Sequence, residues 1–281
     1  IKIFTRINMG KIPLTNAELI KALFLNSSNF ASSNASGVEQ EKVRLHQLEI
    51  ARDWDRMEAA LHNPEFWYFL SDQEDLIETR VDIIFGLLTG DYVESGPYGI
   101  FRAYSAQFKR SPLVEIESNW AQVKRCFQTL EEWFNDRELY HKIGYLICIG
   151  ANLSELYNSS IEPRKSEFMK LLNERIAEAI PDEIESLEFG DKQVRHVLLL
   201  HNIQTMLNNE KERSRFPFDR YKGERWDVEH VHSVSEKKPQ SEKHQREWLT
   251  EAVQYCSEKE LVANVNALLN RGTWDNDCFL E

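Results

Sequence analysis

EIESNWAQVKRCFQTLEEWFN, residues 115–135, carries the clearest structural pattern in this chain of 281 residues. Its apolar side chains alternate four and three positions apart: Ile116, Trp120, Val123, Phe127, Leu130 and Phe134. On a helix with about 3.6 residues per turn, this spacing places them in one apolar stripe that faces a core. A coiled coil would continue over more heptads, so the stretch predicts one helix of a bundle.

Helical periodicity extends in both directions from this stretch. Thr15-Asn16-Ala17-Glu18 has the Ser/Thr-x-x-Glu arrangement of a capping box, which predicts a helix from there to about Asn26. The Asn- and Ser-rich segment 26–37 lacks an apolar period and predicts a loop. Further helices are predicted over residues 38–62, 72–89, 100–109, 138–149, 163–180, 191–209, 241–256 and 258–270. Helices joined by short connections indicate a mainly α fold, a multi-helix bundle.

The composition is that of an ordinary globular protein, with 42% hydrophobic and 28% charged residues. No run approaches the roughly 18 apolar residues of a membrane span, and the N-terminus lacks a basic-then-apolar signal region. We therefore expect no membrane partner and a cytoplasmic location. The four cysteines show no CxxC spacing and are interpreted as small core residues: Cys126, Cys148, Cys256 and Cys278.

Basic residues are concentrated in one part of a chain whose net charge is −12. Between residues 211 and 246 there are ten Lys or Arg and seven Asp or Glu. Lys and Arg neutralise phosphates, so this neighbourhood is the candidate DNA-binding region, whereas a solvated loop is the alternative explanation. The candidate DNA-binding residues are Arg220, Lys222, Arg225, Lys237 and Lys238.

The stretch WDVEHVHS, residues 226–233, lies inside this basic neighbourhood and carries the candidate chemistry. Residues 225–228 predict a short strand, and the acid-histidine pair Glu229-His230 follows it. A carboxylate can hold a divalent metal, and an imidazole with a pKa near 6.5 can accept a proton from water at neutral pH. His230 and His232 share a side of such a strand, whereas Glu229 points to the other side. His232 is an extra candidate metal ligand, with a polar loop residue as the alternative interpretation. A structural Glu-His ion pair remains the alternative.

A second group of residues that could carry chemistry lies in the predicted helix 138–149. Glu138 and His141 form a single Glu-x-x-His, the unit that di-iron bundles use in pairs, but no second copy is found. We interpret Glu138 and His141 as a surface pair. The sequence also contains no GxxxxGK[ST] loop and no GxGxxG turn, so a standard phosphate-binding loop is absent.

Two segments of the chain resemble one known family. FTRINMGKIPLTNAELIK, residues 4–21, is similar to the Phe-x-Arg-Ile-Asn…Leu-(Thr/Ser)-x-Ala-Glu-Leu segment of the ParB-like nucleotide-hydrolysing domain in GmrSD-type modification-dependent restriction endonucleases. Residues 226–233 resemble the acid-His-(Ile/Val)-x-Pro start of the HNH nuclease domain fused to it. The two motifs occur in the family's order, on either side of a long helical region.

The resemblance implies a nucleotide-dependent DNA endonuclease of the restriction or phage-defence type. It implies that Glu229 helps to bind a divalent metal such as Mg²⁺, that His230 is the general base, and that Arg6 and Asn8 lie near the nucleoside triphosphate. It also implies three parts: residues 1–37 as the end of a ParB-like nucleotide-binding domain, 38–210 as a helical middle domain, and 211–281 as an incomplete HNH nuclease domain. The segment after residue 211 would begin a partial ββα-metal unit with a short β and loop portion.

The chain also departs from the family's pattern. The Asp-Gly-Gln-Gln-Arg motif that belongs before residue 4 is absent, Ser233 stands where the family has Pro, and the Asn-containing strand and helix that complete an HNH centre are not found. NVNALLNR, residues 264–271, has the period of a helix instead. We therefore expect an internal fragment that is inactive alone, from a parent that cuts DNA, with modified DNA as its partner and homo-oligomer formation left open. The alternative is a non-catalytic α-helical interaction or regulatory module of a defence system.

Overall fold

A computed structural model describes residues 14–26, 29, 37–71, 79–90, 98–108, 113–188, 190–209, 211, 213–224, 226, 228, 239, 241–256, 259–271 and 274. Its α-helices are α1 (Asn16–Leu25), α2 (Gly37–Leu61), α3 (Pro64–Leu70), α4 (Asp82–Thr89), α5 (Gly99–Gln107), α6 (Leu113–Asn135), α7 (Arg137–Cys148), α8 (Leu153–Ser160), α9 (Lys165–Glu178), α10 (Lys192–Asn208), α11 (Phe218–Gly223), α12 (Glu242–Tyr255) and α13 (Lys259–Leu269). A 3₁₀ turn covers Ile184–Ser186.

The mainly α fold predicted from the sequence is confirmed. Most predicted helices agree with the observed bounds to within a few residues, and α13 covers most of the segment 264–271 as a helix. No strand occurs among the described residues, where Trp226 and Val228 have no regular secondary structure. Arg225 and Asp227, which complete the predicted strand, lie outside the described residues, as do most of the residues between that strand and the helix predicted from residue 241.

The start of α1 shows the predicted capping box. The Thr15 hydroxyl oxygen accepts a hydrogen bond from the Glu18 backbone N–H at 3.3 Å, and the Glu18 carboxylate accepts one from the Thr15 backbone N–H at 2.8 Å. Each interaction satisfies a backbone donor that has no partner inside the helix. The sequence therefore fixes where this helix begins.

The helix predicted over residues 38–62 ends just before Asn63-Pro64, and in the structure this pair begins the next helix. The Asn63 side-chain oxygen accepts a hydrogen bond from the Glu65 N–H at 3.0 Å, and Pro64 occupies the first helical turn of α3. Proline suits this position because its missing N–H would have no partner there anyway. Helix α3 was not predicted, since PEFWYFL is too short and too uniformly apolar to show a helical period.

Helix α6 lies at the centre of the core, as its apolar stripe predicts. Ile116, Trp120, Val123, Phe127 and Leu130 are buried, and Phe134 is partly buried against the same core. The helix packs against α2, α4 and α7. Burying side chains of this size stabilises the fold by roughly 1.5–3 kcal/mol each, so the stripe makes a large contribution to the stability of the bundle.

Aromatic rings fill the space between α6 and its neighbours. The Trp120 ring is stacked on the Trp54 ring of α2 at 6.4 Å, and it meets the Phe24 ring of α1 edge-on at 5.0 Å. Helix α1 packs against α2 and α5. The segment before residue 37 therefore contributes a helix to the same core as the helical middle.

The chain forms two compact units, Ile1–Trp226 and Asp227–Glu281. The boundary of this division lies after Trp226, whereas the family resemblance implies boundaries after residues 37 and 210. Phe216 and Phe218 explain the difference at the second boundary, because both are buried in the core of the first unit and α11 packs against α3. In the second unit, α12 and α13 pack against each other.

Candidate functional site

Most of the predicted site residues lie outside the described residues. This holds for the general-base candidate His230, the metal-ligand candidates Glu229 and His232, and the nucleotide candidates Arg6 and Asn8. It also holds for three of the candidate DNA-binding residues: Arg225, Lys237 and Lys238. The structure describes the chain that leads into the motif, up to Trp226 and at Val228, and the chain that follows it, from Pro239.

The chain approaches the motif through residues 213–224, which we name the anchor segment. Its residue Phe216 is buried, and both of its backbone polar groups bind side chains of α7. The Tyr140 hydroxyl donates a hydrogen bond to the Phe216 carbonyl at 2.8 Å, and the Phe216 N–H donates one to His141 Nε2 at 3.0 Å. Buried backbone groups need such partners, so these two side chains take the place of a helix or sheet at this point.

The environment of His141 fixes its protonation. Its Nδ1 lies 2.6 Å from the Arg137 carbonyl oxygen, which can only accept, so Nδ1 carries the hydrogen and Nε2 is free to accept from Phe216. Burial is the main cause that lowers the pKa of His141, and the positive charges of Arg137 and Arg215 lower it further, although the hydrogen bond to Arg137 opposes them. His141 is therefore a neutral structural residue.

The interpretation of Glu138 and His141 as a surface pair is wrong. His141 is fully buried, whereas Glu138 is exposed and its carboxylate binds the Lys142 ammonium 2.5 Å away. Residues three apart on a helix differ in direction by about 60°, so Glu138 lies just outside the buried face of α7 that includes His141. The histidine is buried because the Phe216 backbone supplies the polar partner that it needs.

Arg215 joins the anchor segment to the end of α6. Its guanidinium donates hydrogen bonds to the carbonyls of Phe134 at 2.7 Å and Asn135 at 2.8 Å. It also lies over the rings of Phe134 and Tyr140, 5.3 Å and 5.1 Å from their centroids. A cation at the C-terminus of a helix is favoured by the free carbonyls and by the helix dipole. This arginine of the basic neighbourhood therefore has an internal structural role.

Gly144 provides the space in which the anchor segment packs on α7. A Cβ atom at this position would lie 2.2 Å from the Phe218 ring, much closer than any real contact. Phe218 is fully buried and packs against Tyr140, whose ring centroid is 5.1 Å away. Only glycine allows this approach of ring to helix.

Lys222 and Arg220 are the two candidate DNA-binding residues that the structure describes, and they have different surroundings. The Lys222 ammonium donates hydrogen bonds to the carbonyls of Tyr68 at 2.6 Å and Ser71 at 3.2 Å, at the C-terminus of α3. Arg220 is exposed, and its Nε lies 3.1 Å from the Glu224 carboxylate. Lys222 thus ties α11 to α3, while Arg220 lies at the surface. Contact of either with DNA stays a prediction.

Trp226 is described just after the anchor segment and lies three positions before Glu229. Its ring packs against the rings of Phe216 and Tyr221 at 5.8 Å and 5.6 Å, and its indole N–H donates to the Glu224 carboxylate at 3.3 Å. Trp226 is 36% exposed, so its ring covers the anchor segment at the surface. The chain therefore leaves the first unit from a defined position.

On the other side of the motif, the chain is held within the second unit by Gln245. Its side-chain nitrogen donates to the Pro239 carbonyl at 2.8 Å, and its oxygen accepts from the Trp274 indole N–H at 2.6 Å. The Arg246 guanidinium lies 4.4 Å from the Trp274 ring centroid and donates to the Leu269 carbonyl at 2.6 Å. Buried Gln245 thus joins the segment before α12 to the segment after α13.

The described residues contain neither a cluster of metal ligands nor a membrane-spanning helix. No group of three or more His, Cys, Asp or Glu that could hold a metal occurs among the described residues. No described helix is both long and apolar enough to cross a membrane. The described cysteines are free thiols, and burial raises the pKa of the Cys126 thiol to about 12, which makes it unreactive.

Comparisons with protein-family models, with curated proteins and with solved structures found no match to this chain. The sequence did not point to Tyr140, His141 and Arg215 as the residues that hold the approach to the motif. The only local signal was RFPF, residues 215–218. The helical apolar period stops there, and two phenylalanines flank a proline.

Proposed function

We propose that this chain is part of a nucleotide-dependent DNA endonuclease of the restriction or phage-defence type, with an HNH centre at residues 229–232. The observation that carries the proposal is the order of two motifs, residues 4–21 and 226–233, which resemble the two catalytic domains of one family. DNA with a modified base or backbone is the proposed substrate. A nucleoside triphosphate near Arg6 and Asn8 is the proposed cofactor of the first domain.

Catalytic side chains require a rigid support, and the anchor segment is the described part of the chain that precedes the motif. Tyr140, His141 and Arg215 hold the chain just before the motif with hydrogen bonds of 2.7–3.0 Å. We assign His230 as the base that takes the proton of the attacking water, and Glu229 and His232 as metal ligands. A divalent ion in this centre would stabilise the negative charge that develops on the phosphate.

A second candidate function is a non-catalytic helical interaction or regulatory module of a defence system. It is favoured by the use of Arg215 and Lys222, two cations of the basic neighbourhood, to bind backbone carbonyls inside the first unit. In this case, Glu229 and His230 form a structural ion pair. The two functions differ in whether DNA cleavage depends on the imidazole of His230.

Nicking of modified plasmid DNA by the full-length protein, with Mg²⁺ and a nucleoside triphosphate, tests the proposal. We expect His230→Ala to lower the cleavage rate by about 10²–10⁴-fold, the usual contribution of a general base. His201→Ala is the matched control, because His201 is exposed on α10 and has no assigned role. Cleavage that survives His230→Ala unchanged would remove the general-base assignment, and the absence of cleavage by the unaltered protein would favour the regulatory module.

A further inference from the structure

The outer face of α2 carries a stripe of apolar side chains. The described packing against neighbouring helices leaves these side chains exposed. Val38, Leu45 and Leu48 are 69%, 57% and 58% exposed. At about 100° per residue, the three side chains lie within about 80° of arc. The core residues of the same helix occupy the opposite face: Val43, Ile50, Trp54, Met57 and Leu61.

Charged residues continue this stripe at coiled-coil spacing. Positions 38, 41, 45, 48 and 52 are three and four residues apart, so Glu41 and Arg52 lie on either side of the two leucines. In the isolated chain both are held only loosely, since Glu41 lies 3.8 Å from Arg44 and Arg52 lies 3.7 Å from Asp53. Both side chains are mostly exposed and can reach a partner outside the chain.

The charges determine which orientation of a paired helix fits this stripe. In a parallel pair of α2 helices, Glu41 would face Glu41 of the second copy, and Arg52 would face Arg52, which is unfavourable. In an antiparallel pair centred between residues 45 and 48, Leu45 faces Leu48, and Glu41 faces Arg52 of the second copy. The two-fold axis repeats each contact, so the part of the stripe from Glu41 to Arg52 is complementary to itself in the antiparallel orientation, while Val38 lies outside this part.

We propose that α2 pairs with α2 of a second copy of this chain in an antiparallel helix dimer. Leu45 and Leu48 form its apolar centre, and two Glu41–Arg52 pairs set its register. Only two leucines from each copy are buried, which is little for a protein interface, so the dimer dissociates in the micromolar range or above. The inference does not depend on the nuclease function proposed for residues 229–232.

Sedimentation velocity over a series of protein concentrations tests the dimer. We expect the sedimentation coefficient of the unaltered chain to rise with concentration, and Leu48→Ser to weaken the association by at least about tenfold, because it removes apolar contact on both sides of the axis. Leu198→Ser is the matched control, since Leu198 is exposed to a similar degree on α10. A sedimentation coefficient independent of concentration would overturn the proposal, as would association that Leu48→Ser leaves unchanged.

A charge exchange tests the orientation separately. Glu41→Arg and Arg52→Glu each create two like-charge contacts in the antiparallel dimer, so each should weaken the association by about tenfold. The double variant restores opposite charges and should associate to within about threefold of the unaltered chain. Lys170→Glu, at an exposed position of α9, controls for the change in net charge. Failure of the double variant to recover association would overturn the antiparallel register.

Discussion

Helix α6 and the anchor segment both bury side chains in the core of the first unit, but different contacts hold them there. Helix α6 is held by a stripe of apolar side chains along its length, in which Trp120 is one of many. The anchor segment has no apolar period, and its position depends on single partners such as His141 for the Phe216 N–H. A periodic surface needs only another apolar surface, whereas a buried irregular segment needs a specific partner for each polar group.

The second unit resembles the anchor segment more than it resembles α6. Among its described residues, Leu249 is the only buried apolar side chain, and Gln245 is buried with it. The segments on either side of α12 and α13 are joined by the polar side chain of Gln245 and by Arg246. Both segments that flank the candidate motif are thus positioned by a few hydrogen bonds.

The largest expected effect is in α6. Trp120→Ala should lower the free energy of unfolding of the first unit by about 3–5 kcal/mol, because it removes a buried indole from between Trp54 and Phe24. Urea unfolding followed by circular dichroism measures this change. Gln128→Ala, at an exposed position of the same helix, should have almost no effect. Equal effects of the two substitutions would contradict the central role of the stripe.

A smaller loss is expected where the anchor segment meets α7. Gly144→Ala should destabilise the first unit by about 1–3 kcal/mol, because its methyl group would overlap the Phe218 ring. Gly223→Ala is the control in the anchor segment, since a Cβ there meets open space. If crowding is the cause, Phe218→Leu should recover part of the loss in a Gly144→Ala background. A double variant no more stable than Gly144→Ala would exclude crowding.

The hydrogen bonds of His141 give a pH-dependent effect. His141→Gln keeps an acceptor near the Phe216 N–H but loses the ring, and should cost about 1–2 kcal/mol at about pH 8. The pKa of His141 is lowered in the folded state, so protonation favours unfolding, and its stabilising contribution is lost as the pH falls below the unfolded pKa of about 6.5.

The difference between the unaltered protein and His141→Gln should therefore shrink between about pH 7.5 and about pH 5. Urea unfolding at several pH values measures it. The pKa of His196 is also lowered, mainly by burial, but His196 is present in both proteins and its contribution cancels. A difference that is constant over this range would show that His141 does not titrate with unfolding.

The smallest expected effect on stability distinguishes two cationic residues of α11, Lys222 and Arg220. Lys222→Met should lower the free energy of unfolding by about 1 kcal/mol, because it removes hydrogen bonds to the Tyr68 and Ser71 carbonyls. Arg220→Met should leave stability unchanged, because its pair with Glu224 is exposed and screened by solvent. Thermal unfolding of both variants measures the contrast, and equal effects would contradict the anchoring role of Lys222.

The helices with long periodic patterns could be predicted from the sequence, and short ones could not. Helix α6 and α2 showed their apolar spacing over many turns, and Thr15 and Glu18 marked the start of α1. Helices α3, α8 and α11 have only six to eight residues, which is too few to reveal a period. Their helical state depends on packing against longer helices.

The candidate motif at residues 229–232 could be selected from the sequence because an acid and two histidines lie close together in a basic neighbourhood. Its supports could not be selected in the same way. Tyr140 and His141 lie about 75 residues from Phe216, and nothing in the local sequence indicates that they meet. His141 in particular has the same local pattern as a surface histidine.

The sequence by itself determined the helical class, the position of α6 in a core and the capped start of α1. These follow from apolar spacing and short-range hydrogen bonding, which depend only on neighbours along the chain. Only the tertiary structure decided that residues 213–226 belong to the first unit and that His141 is buried and neutral. The physical reason is that a buried polar group is stable only where a distant part of the chain supplies its partner.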